Sequence, residues 1–145
     1  NICRSAMAAA MMKDKVAKSA ALRGKVNVYS CGTGAEDGDT ASRMSIQTME
    51  EYGIDLTRHR ATYLLHSSIA DMDLILCAET HHKEYIFRHF PTLREKGNVY
   101  TLKDYVKDET APNIKDPYGY GEEVYRQCAS EIERCLDKLM VVLRK

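Results

Sequence analysis

Asp73-Leu74-Ile75-Leu76-Cys77-Ala78, with a helical stretch opening at Thr80, is the segment on which the fold turns. An unbroken apolar run this short reads as a strand covered on both faces, the kind found in parallel sheets. The next residues agree with that reading. A helix from Thr80 reaches about Phe90 and stops before Pro91, and Asn98 to Leu102 gives another short strand.

On the N-terminal side, Ser5 to about Leu22 is rich in Ala, Met and Lys, all good helix formers, with Gly24 as the stop. Lys25 to Ser30 sets Val26 and Val28 on one face of a strand. Cys31 to Asp39 contains Gly32, Gly34 and Gly38 and reads as a loop. Thr40 suits an N-cap for a helix over Ala41 to Tyr52, closed by Gly53. Toward the C-terminus, Lys107 to Gly121 is a polar loop. Val124, Cys128, Ile132, Cys135, Leu139 and Leu143 then recur at spacings of four and three, the apolar stripe of a last helix. Helices alternating with strands predict a single α/β domain, a parallel sheet flanked by helices on both faces.

The 145 residues suffice for one domain that buries roughly 70% of its unfolded surface. Lys plus Arg equals Asp plus Glu at 21 each, which argues against a nucleic-acid partner but leaves room for a local positive patch. The longest apolar runs, Leu74 to Ala78 and Leu139 to Leu143, are far too short to span a bilayer, so no membrane partner is expected. No signal peptide is visible. Five irregularly spaced cysteines read as reduced thiols of a cytoplasmic protein. Cys128 and Cys135 lie about 10 Å apart along the last helix and read as core residues. His81, His82 and His89 share a predicted helix without a cysteine or carboxylate cluster at ligand spacing. They read as solvated surface, and no metal or other cofactor is expected.

Chemistry concentrates in Asn1-Ile2-Cys3-Arg4-Ser5, immediately before the first helix. Backbone N–H groups at a helix N-terminus point outward, where the dipole favours an anion. Arg4 adds a planar fork of donors that matches two phosphate oxygens. Ser5 is a natural cap, and Asn1 can brace a tight loop through its amide. The residues alone leave open a plainer account, a capped helix beside a surface arginine. Asp116-Pro117-Tyr118 likewise reads as a turn or as an aimed carboxylate, since Pro117 restricts Asp116 toward extended backbone.

The pentapeptide resembles the second half of the signature of low-molecular-weight protein tyrosine phosphatases: a cysteine, any residue, Gly, Asn, Ile, Cys, Arg and Ser. Ser30-Cys31-Gly32-Thr33 is similar to that family's Ser-Ala-Gly-Thr. Gly53-Ile54-Asp55-Leu56-Thr57-Arg58-His59-Arg60 is similar to its Gly-Ile-Asp-Leu-x-x-His-Arg, and Asp116-Pro117-Tyr118 to its Asp-Pro-aromatic motif. The resemblance implies a phosphate-binding loop over Asn1 to Ser5, supported by Ser30 and His59. It also implies a general acid at Asp116, a substrate pocket walled by Ile2 and Tyr118, and four parallel strands in the order 2-1-3-4. The nucleophilic cysteine would stand three positions before Asn1. Cys3 matches the second, redox-active cysteine. The first, central strand would likewise precede Asn1, so roughly ten further residues are expected there.

The implied reaction is hydrolysis of a phosphorylated protein or peptide. A thiolate at a helix N-terminus attacks phosphorus, Arg4 and loop amides hold the equatorial oxygens, and Asp116 protonates the leaving group. Thr101-Leu102-Lys103-Asp104-Tyr105 and the loop Gly34 to Ser42, which lacks a large aromatic, resemble the family's protein arginine phosphatases. An apolar Ile2, where those carry Thr, favours an aryl ring and hence phosphotyrosine. Cys77 has no partner at position 84, which is Glu84, and this speaks against the arsenate reductases of the same fold. A module of another class, binding phosphate or phosphopeptide without turnover, stays open. Nothing in the sequence speaks to oligomeric state.

Overall fold

A computed structural model describes residues 2–145. Asn1, expected to brace the loop, lies outside the described residues.

The chain runs α1 (Arg4–Ala17), α2 (Arg43–Glu50), β1 (Ile75–Cys77), α3 (Thr80–His89), α4 (Thr92–Lys96), β2 (Val99–Thr101), α5 (Leu102–Tyr105) and α6 (Glu122–Leu143), with single 3-10 turns at Leu64–His66 and Ile69–Asp71. Within the described residues β1 and β2 form a two-stranded parallel sheet in which Ile75 pairs with Val99 and Cys77 with Thr101.

Helices cover both faces of this pair, as the unbroken apolar run requires. Ile75 and Cys77 join Ile86, Leu93 and Val99 in one apolar cluster under α3 and α4. Leu76 and Ala78, one residue out of phase, pack on the larger cluster that α1, α2 and α6 build around Met7, Met11, Met49, Tyr125 and Ile132. The stripe on α6 is buried from Cys128 to Leu139 and is widened by Tyr125, Ala129, Leu136 and Met140. All five cysteines are free thiols, and Cys128 and Cys135 are core residues. Burial pushes the Cys128 thiol up to about 12, so it is inert packing.

Several boundaries differ from the sequence expectation. Helix α1 ends at Ala17, not near Leu22, because the Ser19 hydroxyl accepts from the Leu22 N–H and folds the chain into a turn. Helix α2 is capped by Ser42 rather than Thr40: its Oγ accepts from the Ser45 N–H at 3.2 Å. Thr40 instead bridges to Arg60. Among the described residues Lys25 to Ser30 joins no ladder and is not a strand. Residues 26–30 run without a ladder partner among the described residues, and alternation alone does not make a strand. No helix among the described residues is long and apolar enough to cross a membrane.

Candidate active site

Helix α1 begins at Arg4 with Cys3 as its N-cap, and among the described residues the Cys3 side chain makes no capping hydrogen bond. Ser5, expected as the cap, is the second residue of the helix instead. A helix N-terminus turns its positive end toward an anion. The Cys3 carbonyl accepts the Met7 N–H at 2.9 Å, the first bond of the helix.

The Cys3 thiol is held by two hydroxyls. It is 6% exposed; its Sγ–H donates to Ser42 Oγ at 3.4 Å and lies 3.3 Å from the Tyr125 hydroxyl. Ser42 N–H donates to the Ile2 carbonyl at 2.8 Å. Ile2 itself is half-buried against the main core. The caps of α1 and α2 and the start of α6 therefore meet at one thiol. Burial and the neighbouring Cys3 push the Tyr125 phenol up to about 12, so it stays a neutral hydrogen-bonding group.

Arg4 faces another set of residues. Its Nη1 donates to Glu79 Oε2 at 2.7 Å and to the Ile114 carbonyl at 2.6 Å, and its Nη2 lies 4.0 Å from Asp116 Oδ2. The guanidinium is thus held by the N-cap of α3 and by the 107–121 loop, with a second carboxylate at its rim. Burial alone would raise the Glu79 carboxyl, but the Arg4 bond and charge and His81 outweigh it and hold it below the usual range.

Asp116 is a turn residue and an arginine neighbour together. Its Oδ1 accepts the Tyr118 N–H at 3.1 Å while Pro117 is fully buried. Asp116 is therefore a turn residue whose second carboxylate oxygen lies at the rim of Arg4. Tyr118 is 64% exposed beside it. Ser30 and His59 are half-buried on the segments that precede Cys31 and Arg60.

Glu79, His81 and His82 bring ligand-type atoms within 4.8 Å of one another, a grouping that sequence spacing missed because it needs Glu79. Those atoms are already engaged. Glu79 holds Arg4, and His82 Nδ1 accepts the Glu79 N–H in a capping box at 3.2 Å. The positive N-terminus of α3 and Arg4 also oppose a cation there. His89 stands apart, with Nδ1 donating to the Tyr85 carbonyl. Two surface hollows, one beside Tyr52 and Val141 and one beside Gln47 and Arg126, are not lined by Arg4 or Asp116.

The chain is similar to known proteins along its whole length. The model of the family "low molecular weight phosphotyrosine protein phosphatase" matches residues 1–145. The chain is 36% identical over 139 residues to the protein-arginine-phosphatase of Geobacillus stearothermophilus, covering 96% of this chain and 87% of that one. It is 32% identical over 137 residues to the probable low molecular weight protein-tyrosine-phosphatase EpsP of Ralstonia nicotianae, covering 94% and 86%. The solved YwlE arginine phosphatase of Geobacillus stearothermophilus superposes with a TM-score of 0.85 at 34% identity, covering 99% of this chain and 86% of that one.

Proposed function

The chain belongs to the low molecular weight phosphotyrosine protein phosphatase family, and from that premise we propose that it hydrolyses phosphotyrosine in proteins or peptides through a cysteinyl-phosphate. The observation that carries the reading is Arg4 at the start of α1 with Asp116 Oδ2 4.0 Å from its guanidinium. A phosphate cradle and a proton donor at its rim are the two parts this reaction needs.

In this reading the nucleophile is a cysteine three positions before Asn1. Its thiolate attacks phosphorus as the bond to the aryl oxygen breaks, and protonated Asp116 gives that oxygen its proton. Water then attacks the cysteinyl-phosphate, Asp116 takes a proton from it, and inorganic phosphate leaves. Cys3 stands at the place of the signature's second cysteine, with its thiol bonded to Ser42 and Tyr125. Asn1, Ile2, Cys3, Arg4 and Ser5 form the phosphate loop, with Ser30 and His59 behind it. The segment before Asn1 would also supply a central strand, completing the order 2-1-3-4 between residues 26–30 and β1. No cofactor enters this chemistry.

Ile2 and Tyr118 support an aryl substrate. A second reading, phosphoarginine, is favoured by the 36% identity to a protein-arginine-phosphatase.

Hydrolysis of p-nitrophenyl phosphate by the full-length protein tests the activity. Capture of vanadate or phosphopeptide without turnover would establish a binding module instead. Phosphotyrosine and phosphoarginine peptides, run on wild type and Ile2→Thr, separate the two substrates. Activity on phosphotyrosine that survives Ile2→Thr undiminished refutes the role given to Ile2.

A further inference from the structure

The loop that carries Asp116 is tethered along its length. Where α5 ends, Lys107 takes a left-handed conformation, φ 59°. Its N–H donates to the Asp104 carbonyl, and the Asp108 N–H donates to the Lys103 carbonyl at 2.9 Å. This turn delivers the Asp108 side chain, 1% exposed, into a socket on α6. Its Oδ2 accepts from Arg134 Nε at 3.0 Å and Lys138 Nζ at 3.1 Å, and its Oδ1 from the Thr110 N–H at 3.1 Å.

Lys103, 2% exposed, reaches the same stretch from below. Its Nζ donates to Thr110 Oγ1 at 3.0 Å and the Ala111 carbonyl at 2.8 Å and pairs with Glu131 on α6. Beyond Ala111 the loop is held at Asn113, whose Oδ1 accepts the Thr80 N–H. It is held again at Ile114, whose N–H donates to the Ala78 carbonyl at 3.0 Å and whose carbonyl takes Arg4. Asp116 stands two residues further on. A buried charge removed from its partners is costly, so this network admits few alternative arrangements.

We propose that Lys103 and Asp108 are positioning residues for the general acid. They clamp the base of the 107–121 loop to α5 and α6, so that Asp116 is presented beside the Arg4 guanidinium rather than wandering with an exposed loop. Neither touches the substrate. The proposal rests on the phosphatase reading and on Asp116 as the acid. It assigns Lys103, within the segment that resembles arginine phosphatases, to loop geometry rather than substrate contact.

The test compares leaving groups in the full-length protein. A proton donor matters for phenyl phosphate and matters little for 2,4-dinitrophenyl phosphate, whose leaving group departs as a stable anion. For Asp108→Asn and Lys103→Met, kcat/KM on phenyl phosphate is expected to fall about 10-fold or more, and on the dinitrophenyl ester by less than about threefold. Ile86→Val, placed in the cluster under α3, gives a destabilised control in which both esters change by the same factor. Combining Asp108→Asn with Asp116→Ala should add little to Asp116→Ala alone.

Equal losses on both esters, or full additivity with Asp116→Ala, overturn the clamp. If wild-type protein discriminates by leaving group no differently from Asp116→Ala, the acid assignment falls instead, and if it hydrolyses neither ester the phosphatase reading falls. Circular dichroism of each variant identifies any that have not folded. Should both single substitutions fail to fold, Thr110→Val, which removes the hydroxyl shared by both anchors, must show the same leaving-group pattern or the clamp is refuted.

Discussion

Arg4 and Glu79, 75 positions apart in sequence, form the tightest ion pair of the candidate site, at 2.7 Å with side chains 13% and 22% exposed. The pair joins the start of α1 to the N-cap of α3 and fixes the plane of the guanidinium that would receive phosphate. Replacing Glu79 by Ala frees that plane. The expected loss in kcat/KM for p-nitrophenyl phosphate is about 10-fold or more, since misplaced transition-state donors are costly. Unchanged kinetics would show that the Ile114 carbonyl orients Arg4 unaided.

Asp108 should govern stability in strong acid. Its hydrogen bonds from Thr110 and from Arg134 and Lys138 hold the carboxyl far below the ordinary range. A depressed folded-state pKa gives stability that is present above the unfolded value, about 3.9, and is lost as pH falls below it. The gap in Tm between wild type and Asp108→Asn is therefore expected to be widest above about pH 5 and to narrow steadily below about pH 4. A gap independent of pH would refute the charge-based account.

His82 should act in a milder window. Burial, His81 and Arg4 push its imidazole down to about 4. Below the ordinary value near 6.5 the unfolded chain takes up a proton that the folded protein refuses, so stability falls as pH drops from about 6.5 to about 4. His82→Gln keeps an acceptor for the Glu79 N–H and has no charge to gain. Its Tm relative to wild type should rise across that interval, as denaturation scans at several pH values will report.

Lys107 occupies a left-handed position that favours glycine. Lys107→Gly relieves this, and urea unfolding should show a gain of about 0.5–1 kcal/mol. A loss would mean that the Lys107 side chain matters more than its backbone.

Ile132 is 1% exposed in the seam between α6 and the remaining core. Ile132→Ala should cost about 2–5 kcal/mol in the same measurement, with no preference between leaving groups. A leaving-group bias there would weaken the reasoning behind the clamp.

How far the sequence is legible depends on the range of the forces involved. Asp73 to Ala78 and the α6 stripe can be read directly because burial writes its period into neighbouring residues. Helix ends are harder. Ser19 and Ser42 redirect them through single local hydrogen bonds, and Ser5 lies inside the helix it is expected to cap. Arg4 stands in the signature and Asp116 in the Asp-Pro-aromatic motif, and the fold brings the two within 4.0 Å. Glu79, Lys103 and Asp108 are not legible, because their partners lie far along the chain and a charged residue in a polar stretch reads as solvated. The one available hint is Thr101 to Tyr105, whose resemblance points toward substrate preference rather than toward a loop anchor. Residues 26–30 show the opposite failure: alternation is present, but a strand also needs a neighbour.

The thiol of Cys3 sits where α1, α2 and the start of α6 converge, sealed by Tyr125 and Ser42. An alkylating reagent gains access only when those three ends separate. The labelling rate of that sulfur is therefore a clock for breathing at the seam, slow under native conditions and quickening before the rest of the protein unravels.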